Sequence, residues 1–464
     1  MSFKHLFLSC VVLLLGVVST ARAQEAPLTD DQIHQLLMDR VDRERRSVGL
    51  VVGVVTAEGR RVLAHGRFST TDARMPDGET VFEIGSLSKV LTAWILADMA
   101  GRGELAIDDP IDRYLPATVR ITPNRDGRGI TLADLATHTA GFPFWPTNLR
   151  PGDVREALAT YSTADLFQFL ESFEVPPTVG SRWSYSNADA GLLGVLLSQR
   201  AATTYQTLLR DRLTGPLAME STSVQPTTGM RARLAAGHTE QLKPAASWNA
   251  PAFEGGGSIH STVNDLLTFL STLQSTPSRA SVLSAMLMTR RQASGFQQAL
   301  GWMVLSPPAG DLLVHDGQTL GFASAAAYDP RTRSGVVVLS NTAMSVGDLA
   351  RHILRPSMPL AAPPTAAPEK TEIAMDPARF DRYAGRYSPK PGLEFIVTRE
   401  ANTLMLQIPG LPKLRIRPER EHVFFVAENT RLGVTFEVNA AGEVRRLLFT
   451  SPGATIAAAR IVSP

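Results

Sequence analysis

The stretch EIGSLSK, residues 83–89, places two serines and a lysine directly before an apolar, helix-like run. Ser86 and Lys89 are three residues apart, so a helix would put both side chains on one face, one turn apart. Unpaired backbone N–H groups at the start of that helix would favour negative charge near Ser86. A desolvated lysine can accept a serine proton, whereas an ordinary lysine, with a pKa of about 10.4, cannot at neutral pH. The pair indicates an activated nucleophile or, alternatively, only a helix cap with a charged first turn.

A second polar group precedes another apolar helical run, in the sequence SRWSYSNADAGLLG. Tyr185 lies two residues before Asn187, so both side chains could project together from a turn. A phenol near Lys89 could take the serine proton as a phenolate, or relay it to a leaving group. Asn187 has both a donor and an acceptor and could bind a substrate amide. The alternative is a packed tyrosine and an asparagine that caps the helix.

A third group, His315-Asp316-Gly317, ends a predicted strand. Gly317 would let a substrate approach the backbone closely. The backbone N–H of Gln318 could join that of Ser86 in an oxyanion hole. His315 could bind a substrate carboxylate or tune the protons of the site, and a strand-end histidine followed by a turn is the alternative.

Together these groups resemble the serine β-lactamase and penicillin-binding-protein superfamily, specifically its class C-like branch of D-stereospecific peptidases, esterases and class C β-lactamases. The resemblance covers about residues 30–355 and selects Ser86, rather than Ser88, as the nucleophile. Further stretches carry it: VFEIGSLSKVLTA, DDPIDRYLP, ITLADLATHTAGFP, GPLAMEST and GGGSIHSTVNDLLTFL.

The resemblance implies an acyl-enzyme mechanism. Ser86 would be acylated, and Lys89 and Tyr185 would share its activation. Asn187 would bind the amide side of the substrate, and the N–H groups of Ser86 and Gln318 would form the oxyanion hole. The reaction would be acyl transfer to water from an amide, ester or lactam. D-Amino-acid peptides, D-Ala-D-Ala-like peptides and short esters are the favoured substrates.

One departure concerns the position where the superfamily commonly has the lysine of a Lys-Thr-Gly motif. This chain has His315 there, followed by Asp316, and Gly317 would lie in the substrate-binding strand. The resemblance implies that His-x-Gly members include D-amino-acid peptidases and esterases. A mostly neutral histidine is also a weaker anchor for a carboxylate than lysine. A class C-like β-lactamase is therefore an alternative, and a non-catalytic cell-wall peptide-binding protein on the same fold is an alternative of another class.

The surrounding pattern predicts an α/β (α+β) fold, with an antiparallel sheet flanked by helices and a helical subdomain inserted. A helix at 29–46 precedes a hairpin that turns at Glu58-Gly59. Three strands at 312–341 and a helix at 346–354 bring the chain back to the sheet. Short alternating runs after residue 372 predict a small antiparallel barrel or sandwich, which resembles the lipocalin-like β-barrel appended to some superfamily members.

The N-terminus predicts a secretory signal peptide at residues 1–23, with an apolar run at 6–18 and a small-residue cleavage site ending at Ala23. A retained anchor is the alternative. The only cysteine, Cys10, lies in this segment, so the mature protein would have no disulfide and no cysteine ligand for a metal. The predicted location is periplasmic or secreted, with no membrane span after cleavage.

A proline- and alanine-rich stretch at 356–372 predicts an extended linker between a catalytic domain at 24–355 and a β-barrel domain at 373–464. Without the signal peptide, 44 basic residues balance 44 acidic ones, so a nucleic-acid or anionic-membrane partner is not expected. No histidine motif indicates a metal site, and no cofactor is expected. The expected partners are small-molecule or peptide substrates, peptidoglycan-derived peptides or β-lactams.

Some conspicuous residues are interpreted as structural. The five tryptophans and the aromatic run FPFW at 142–145 are interpreted as core or subdomain packing, with a wall of the substrate cleft as the alternative. His138 lies in the LATHTAG stretch and is also interpreted as structural. His238 and His260 are interpreted as packed or surface residues rather than ligands.

Overall fold

A computed structural model describes residues 25–461 apart from 151–153, 274, 364–369, 391–392, 409–412, 428 and 452–453. The predicted signal peptide therefore lies outside the described residues, as does the middle of the predicted linker. Within the described part of the chain, no helix is long and apolar enough to cross a membrane.

Helices dominate the middle of the chain, and strands lie before and after them. Within the described residues the α-helices are α1 (Asp30–Met38), α2 (Ser88–Gly101), α3 (Leu132–Ala136), α4 (Val154–Thr160), α5 (Thr163–Glu171), α6 (Asn187–Arg200), α7 (Tyr205–Leu209), α8 (Thr228–Ala232), α9 (Glu254–Gly257), α10 (Val263–Thr272), α11 (Pro277–Met288) and α12 (Gly347–Leu354). The strands are β1 (Gly49–Thr56), β2 (Gly59–Gly66), β3 (Phe82–Glu83), β4 (His260–Ser261), β5 (Arg291–Gln292), β6 (Gln297–Gln298), β7 (Met303–Leu305), β8 (Leu312–Gln318), β9 (Ala323–Asp329), β10 (Ser334–Ser340), β11 (Gly385–Lys390), β12 (Leu393–Glu400), β13 (Thr403–Gln407), β14 (Leu414–Arg420), β15 (Val423–Val426), β16 (Asn429–Val438), β17 (Val444–Ser451) and β18 (Ala454–Arg460).

The first domain is built on one antiparallel sheet in the order β2-β1-β10-β9-β8-β7-β6-β5. The predicted hairpin is confirmed, because β1 and β2 pair from Gly49↔Gly66 to Thr56↔Gly59. The predicted return of the chain is also confirmed, since β10 lies beside β1 and pairs Val52 with Val338. The result is the predicted mixed α/β fold, with the two ends of the domain meeting in one sheet.

The two faces of the sheet bury different helices, because successive side chains of a strand point to opposite faces. On β1, Val51 belongs to the large core that contains α2 and α10. Its neighbour Val52 belongs to the smaller core formed with α1 and α12. The active-site candidates of α2 therefore lie on the side of the sheet that carries the helical subdomain.

Helix α2 is more deeply buried than its sequence pattern predicts. We expected apolar residues on one side, but Ser88, Lys89 and Thr92 are also buried. Helices α6, α9 and α11 pack around it, together with the 3₁₀ turn at Gly85–Leu87. Its polar residues find partners inside the core: the Thr92 hydroxyl donates to the Gly255 carbonyl at 2.6 Å. The helix is thus a central core element that carries buried polar groups.

The C-terminal strands β11–β18 form a closed antiparallel barrel, which selects a barrel over a sandwich. It closes where β11 pairs with β18, at Tyr387↔Arg460. Aromatic side chains fill the described interior, with the rings of Tyr383 and Phe436 centred 4.6 Å apart. Arg431 of the barrel lies 3.1 Å from Glu240 of the first domain. The likeness to lipocalins and the domain boundaries at 355 and 373 stay predictions.

Candidate active site

Ser86 lies in a 3₁₀ turn, Gly85–Leu87, that leads directly into α2. The sequence indicated a position near the start of the helix, and the structure places Ser86 in the turn just before it. The spacing nevertheless brings the two side chains together, with Lys89 Nζ 2.9 Å from Ser86 Oγ. Ser88 points elsewhere, and its hydroxyl accepts the Ile259 N–H at 3.3 Å. Of the two serines in the stretch, only Ser86 lies in the cleft.

The Lys89 amine lies in a buried pocket with three hydrogen-bond partners. Besides Ser86 Oγ, it contacts Asn187 Oδ1 at 2.8 Å and the Gly256 carbonyl at 2.6 Å. Burial lowers the pKa of Lys89 from 10.5 to about 7, although the nearby Asp189 acts in the opposite direction. The Asn187 and Gly256 oxygens are acceptors only in these contacts. A neutral amine can donate to both and keep its lone pair for the serine proton.

Tyr185 completes the environment of the serine. Its Oη donates to Ser86 Oγ at 2.7 Å. Burial raises the pKa of Tyr185 above its ordinary value of 10, so the phenol stays protonated at neutral pH. Lys89 Nζ lies 5.0 Å from the centre of the tyrosine ring. Of the two roles left open by the sequence, the geometry favours a proton-donating phenol over a phenolate base.

The start of α6 fixes Tyr185 and Asn187 relative to each other. Ser186 between them is the N-cap: its extended backbone has φ −140° and its hydroxyl accepts the Asp189 N–H at 3.2 Å. Asn187 is therefore not the cap. Its backbone N–H donates to the Phe144 carbonyl at 3.0 Å, and its side-chain oxygen accepts from Lys89. Asn187 also lines the cleft.

His315 lines the same cleft from β8. Its Nδ1 lies 2.8 Å from the Asp316 carbonyl, which can only accept, so Nδ1 carries the hydrogen. Its Nε2 is buried and has no partner among the described residues. Burial and the nearby positive charge of Lys89 lower the pKa of His315 to about 3. His315 is therefore a neutral imidazole with an acceptor nitrogen free.

Two glycines allow β8 to approach the 3₁₀ turn at Gly85–Leu87 closely. A Cβ added to Gly317 would lie 2.1 Å from the Ile84 carbonyl oxygen. One added to Gly85, whose φ of +49° already disfavours a side chain, would lie 2.7 Å from the Gln318 nitrogen. The Gln318 side chain is turned away and donates to the Ala343 carbonyl at 2.9 Å. This close approach places the backbone of Gln318 beside that of Ser86, where an oxyanion hole needs two N–H donors.

The cleft above these groups has a volume of about 480 Å³. Phe144 and Trp145 of the FPFW run line it, so their interpretation as subdomain packing alone is incomplete. Trp248 forms another part of the wall, and its backbone N–H donates to the buried carboxylate of Glu83 at 2.9 Å. From the sequence, Trp248 was interpreted with the other tryptophans as packing, with a wall of the cleft as the alternative. The residues around it, HTEQLKPAASWNA, show no helical or strand period.

A buried pair, His138 and Asp189, lies next to Tyr185. His138 was interpreted as structural from the sequence, and Asp189 was not predicted. The His138 ring is centred 4.5 Å from the Tyr185 ring, and its Nδ1 accepts the Ser186 N–H at 3.3 Å. Asp189 Oδ2 lies 3.4 Å from the same nitrogen. Burial lowers the pKa of His138 and raises that of Asp189, so it disfavours the charged form of each group. His238 and His260 are packed in the interior, as expected. Among the described residues no cluster of histidine and acidic side chains is arranged to hold a metal ion.

Comparisons with known proteins identify the family and the fold of the chain. Residues 31–355 match the protein family described as Beta-lactamase. The D-alanyl-D-alanine-carboxypeptidase/endopeptidase AmpH of Escherichia coli is 24% identical over 392 residues, which span 78% of this chain and 99% of AmpH. A beta-lactamase of the same species is 24% identical over 72% of this chain and 93% of its own length. The crystal structure of a beta-lactamase/D-alanine carboxypeptidase from Pseudomonas syringae shares the fold, with a TM-score of 0.63 at 22% identity, covering 71% of this chain and 99% of that one.

Proposed function

The chain belongs to the beta-lactamase family, and we propose that it is a secreted serine hydrolase that forms an acyl-enzyme at Ser86. One observation carries the proposal: Ser86 Oγ lies within hydrogen-bond distance of both the buried Lys89 amine and the Tyr185 hydroxyl. A nucleophile, a base and a proton donor therefore meet at one wall of a cleft.

Lys89 is the base for acylation in this proposal. The Ser86 proton moves to the neutral Lys89 Nζ while Oγ bonds to the substrate carbonyl carbon. The carbonyl electron pair moves onto oxygen, where the N–H groups of Ser86 and Gln318 stabilise it. The resulting ammonium keeps its contacts with Asn187 Oδ1 and the Gly256 carbonyl, which stabilise the new charge.

Tyr185 serves the leaving group. When the tetrahedral intermediate collapses, the Tyr185 hydroxyl gives its proton to the departing nitrogen or oxygen and recovers one from the Lys89 ammonium. Water then attacks the acyl-enzyme, gives a proton back through the same groups, and releases Ser86 with a carboxylic acid. The Asn187 amide nitrogen donates to the amide side of the substrate throughout.

The substrate proposed is an amide or ester bond of a D-amino-acid peptide, a D-Ala-D-Ala-like peptide or a short ester. Support comes from a relative named as a D-alanyl-D-alanine carboxypeptidase and endopeptidase. The predicted signal peptide supports a periplasmic or secreted location, where such peptides occur. A class C-like β-lactamase is the second candidate, and the beta-lactamase relative favours it. A lactam would be opened by the same steps.

The proposal is tested by rates on a D-Ala-D-Ala peptide, a D-amino-acid amide, a p-nitrophenyl ester and a chromogenic cephalosporin. Hydrolysis of one of the first three by the wild type and its loss in Ser86→Ala are expected. Ser88→Ala is the matched control, because this neighbouring hydroxyl bonds the Ile259 backbone outside the cleft. A cephalosporin rate higher by orders of magnitude would assign the second candidate. Peptide binding without turnover would assign the non-catalytic class.

A further inference from the structure

The described lining of the cleft offers no cationic side chain that could hold a substrate carboxylate. No lysine or arginine is among the described residues that line it. Lys89 lies beneath Ser86, and its amine is already engaged by three protein oxygens. A buried carboxylate without a cation or several hydrogen-bond donors is strongly disfavoured, since it loses its hydration without replacement.

Asp316 of the cleft lining is paired with Arg351, which lies outside the lining. Asp316 is the one acid in the described lining, and its carboxylate lies 3.4 Å from the Arg351 guanidinium of α12. The same carboxylate packs against Gly347, where an added Cβ would lie 1.9 Å from Oδ2. Neighbouring residues of β8 point to opposite faces, so His315 faces the cleft and Asp316 faces α12. Arg351 is thus held by Asp316 and is not part of the lining.

His315 offers an acceptor where a carboxylate anchor would need a donor. Its only ring hydrogen is donated to the Asp316 carbonyl, and its buried Nε2 has an unused lone pair. A lone pair repels a carboxylate oxygen and binds an N–H or O–H group. Phe144, Trp145, Trp248 and Phe253 contribute four aromatic side chains to the wall of the cleft. Such walls bind uncharged apolar groups through the area that they remove from water.

We propose that this cleft selects acyl donors that lack a carboxylate beside the scissile bond, namely apolar esters and peptide amides with an N–H or O–H donor for His315 Nε2. The inference rests on the proposed hydrolase function and narrows its substrate class. Peptides that end in a free D-alanine carboxylate are accordingly poor substrates compared with their uncharged forms.

The test compares an N-acylated D-alanyl-D-alanine peptide with the same peptide carrying a terminal amide, using the full-length protein. Both kcat/KM and the slowing of fluorophosphonate labelling at Ser86 are measured, so a peptide that binds without turnover still gives a result. A preference for the amide of at least about tenfold is expected. Equal behaviour, a preference for the carboxylate, or protection by neither peptide would overturn the inference while labelling would still support the hydrolase. An unlabelled protein would contradict the hydrolase itself, and the inference would fall with it.

Two variants locate the selectivity. His315→Lys supplies a cation at the cleft and should shift the ratio of the two kcat/KM values at least about tenfold toward the carboxylate peptide. Arg351→Ala should leave the wild-type ratio unchanged, because Arg351 is paired outside the lining. A ratio that depends on Arg351 and not on residue 315 would show that α12 holds the carboxylate, and the inference would be wrong.

Discussion

The pH dependence of acylation follows directly from the burial of Lys89. Its pKa is lowered from 10.5 to about 7, and only the neutral amine can take the Ser86 proton. The neutral fraction is then roughly a half at pH 7, roughly a tenth at pH 6 and roughly a hundredth at pH 5. An ordinary lysine would be neutral in only about one molecule in 3,000 at pH 7. The acylation rate should therefore rise about tenfold per pH unit up to pH 6 and level off above pH 8.

The rate of Ser86 labelling by an uncharged fluorophosphonate, measured from pH 5 to pH 10, gives this profile without a titrating substrate. Ser86→Ala supplies the background rate at each pH. Lys89→Arg keeps the positive charge but cannot become neutral, so its labelling should fall by about 10²- to 10⁴-fold and lose the midpoint near pH 7.

Two results would refute the reasoning. A rate that keeps climbing through pH 9 would show a lysine with its ordinary pKa. A rate that is flat from pH 5 to pH 9, or a Lys89→Arg variant as fast as the wild type, would show that Lys89 is not the base.

Four further changes test other parts of the structure. Tyr185→Phe removes the donor to the serine and should lower kcat by about 10²- to 10⁴-fold at unchanged thermal stability; a loss under tenfold would contradict its role. Gly317→Ala should cost about 10²- to 10³-fold in rate by displacing the oxyanion donors, whereas Gly101→Ala, with open space around it, should keep full activity. Arg355→Ala leaves its buried carboxylate partner unpaired and should lower the free energy of unfolding by about 3–5 kcal/mol in urea; a change under about 1 kcal/mol would contradict this. Truncation near residue 370 should leave a folded domain that labels normally, and insoluble protein would show that the barrel is required.

Local patterns made much of the fold predictable. The hairpin at Glu58-Gly59 and the three strands at 312–341 were predicted because each depends on neighbouring residues and their turns. The burial of α2 on all sides was not predicted. Hydrophobic periodicity indicates one buried face of a helix, and it does not indicate which elements pack against the other faces. Closure of the barrel likewise depends on a pairing between Tyr387 and Arg460, which are remote in sequence.

The side chains of the candidate site were predictable from the sequence, whereas most of the backbone groups and packing around them were not. Ser86, Lys89 and Tyr185 carry recognisable chemistry, and the structure brings them together across a separation of 99 residues. The Gly256 carbonyl that holds Lys89 was not predicted, because a backbone acceptor leaves no mark in the residue type. The contact of His138 with Tyr185 was not predicted either. The position of His138 depends on a backbone φ of +56°, which the neighbouring residue types do not indicate.

The central claim is that Ser86 carries the acyl group. Mass spectrometry of the intact protein after brief reaction with an acyl donor or a fluorophosphonate, followed by peptide mapping, measures this directly. The structure predicts one adduct per chain, located on the peptide that contains Ser86 and absent from Ser86→Ala. An adduct mapped to another residue, or hydrolysis that persists undiminished in Ser86→Ala, would contradict it.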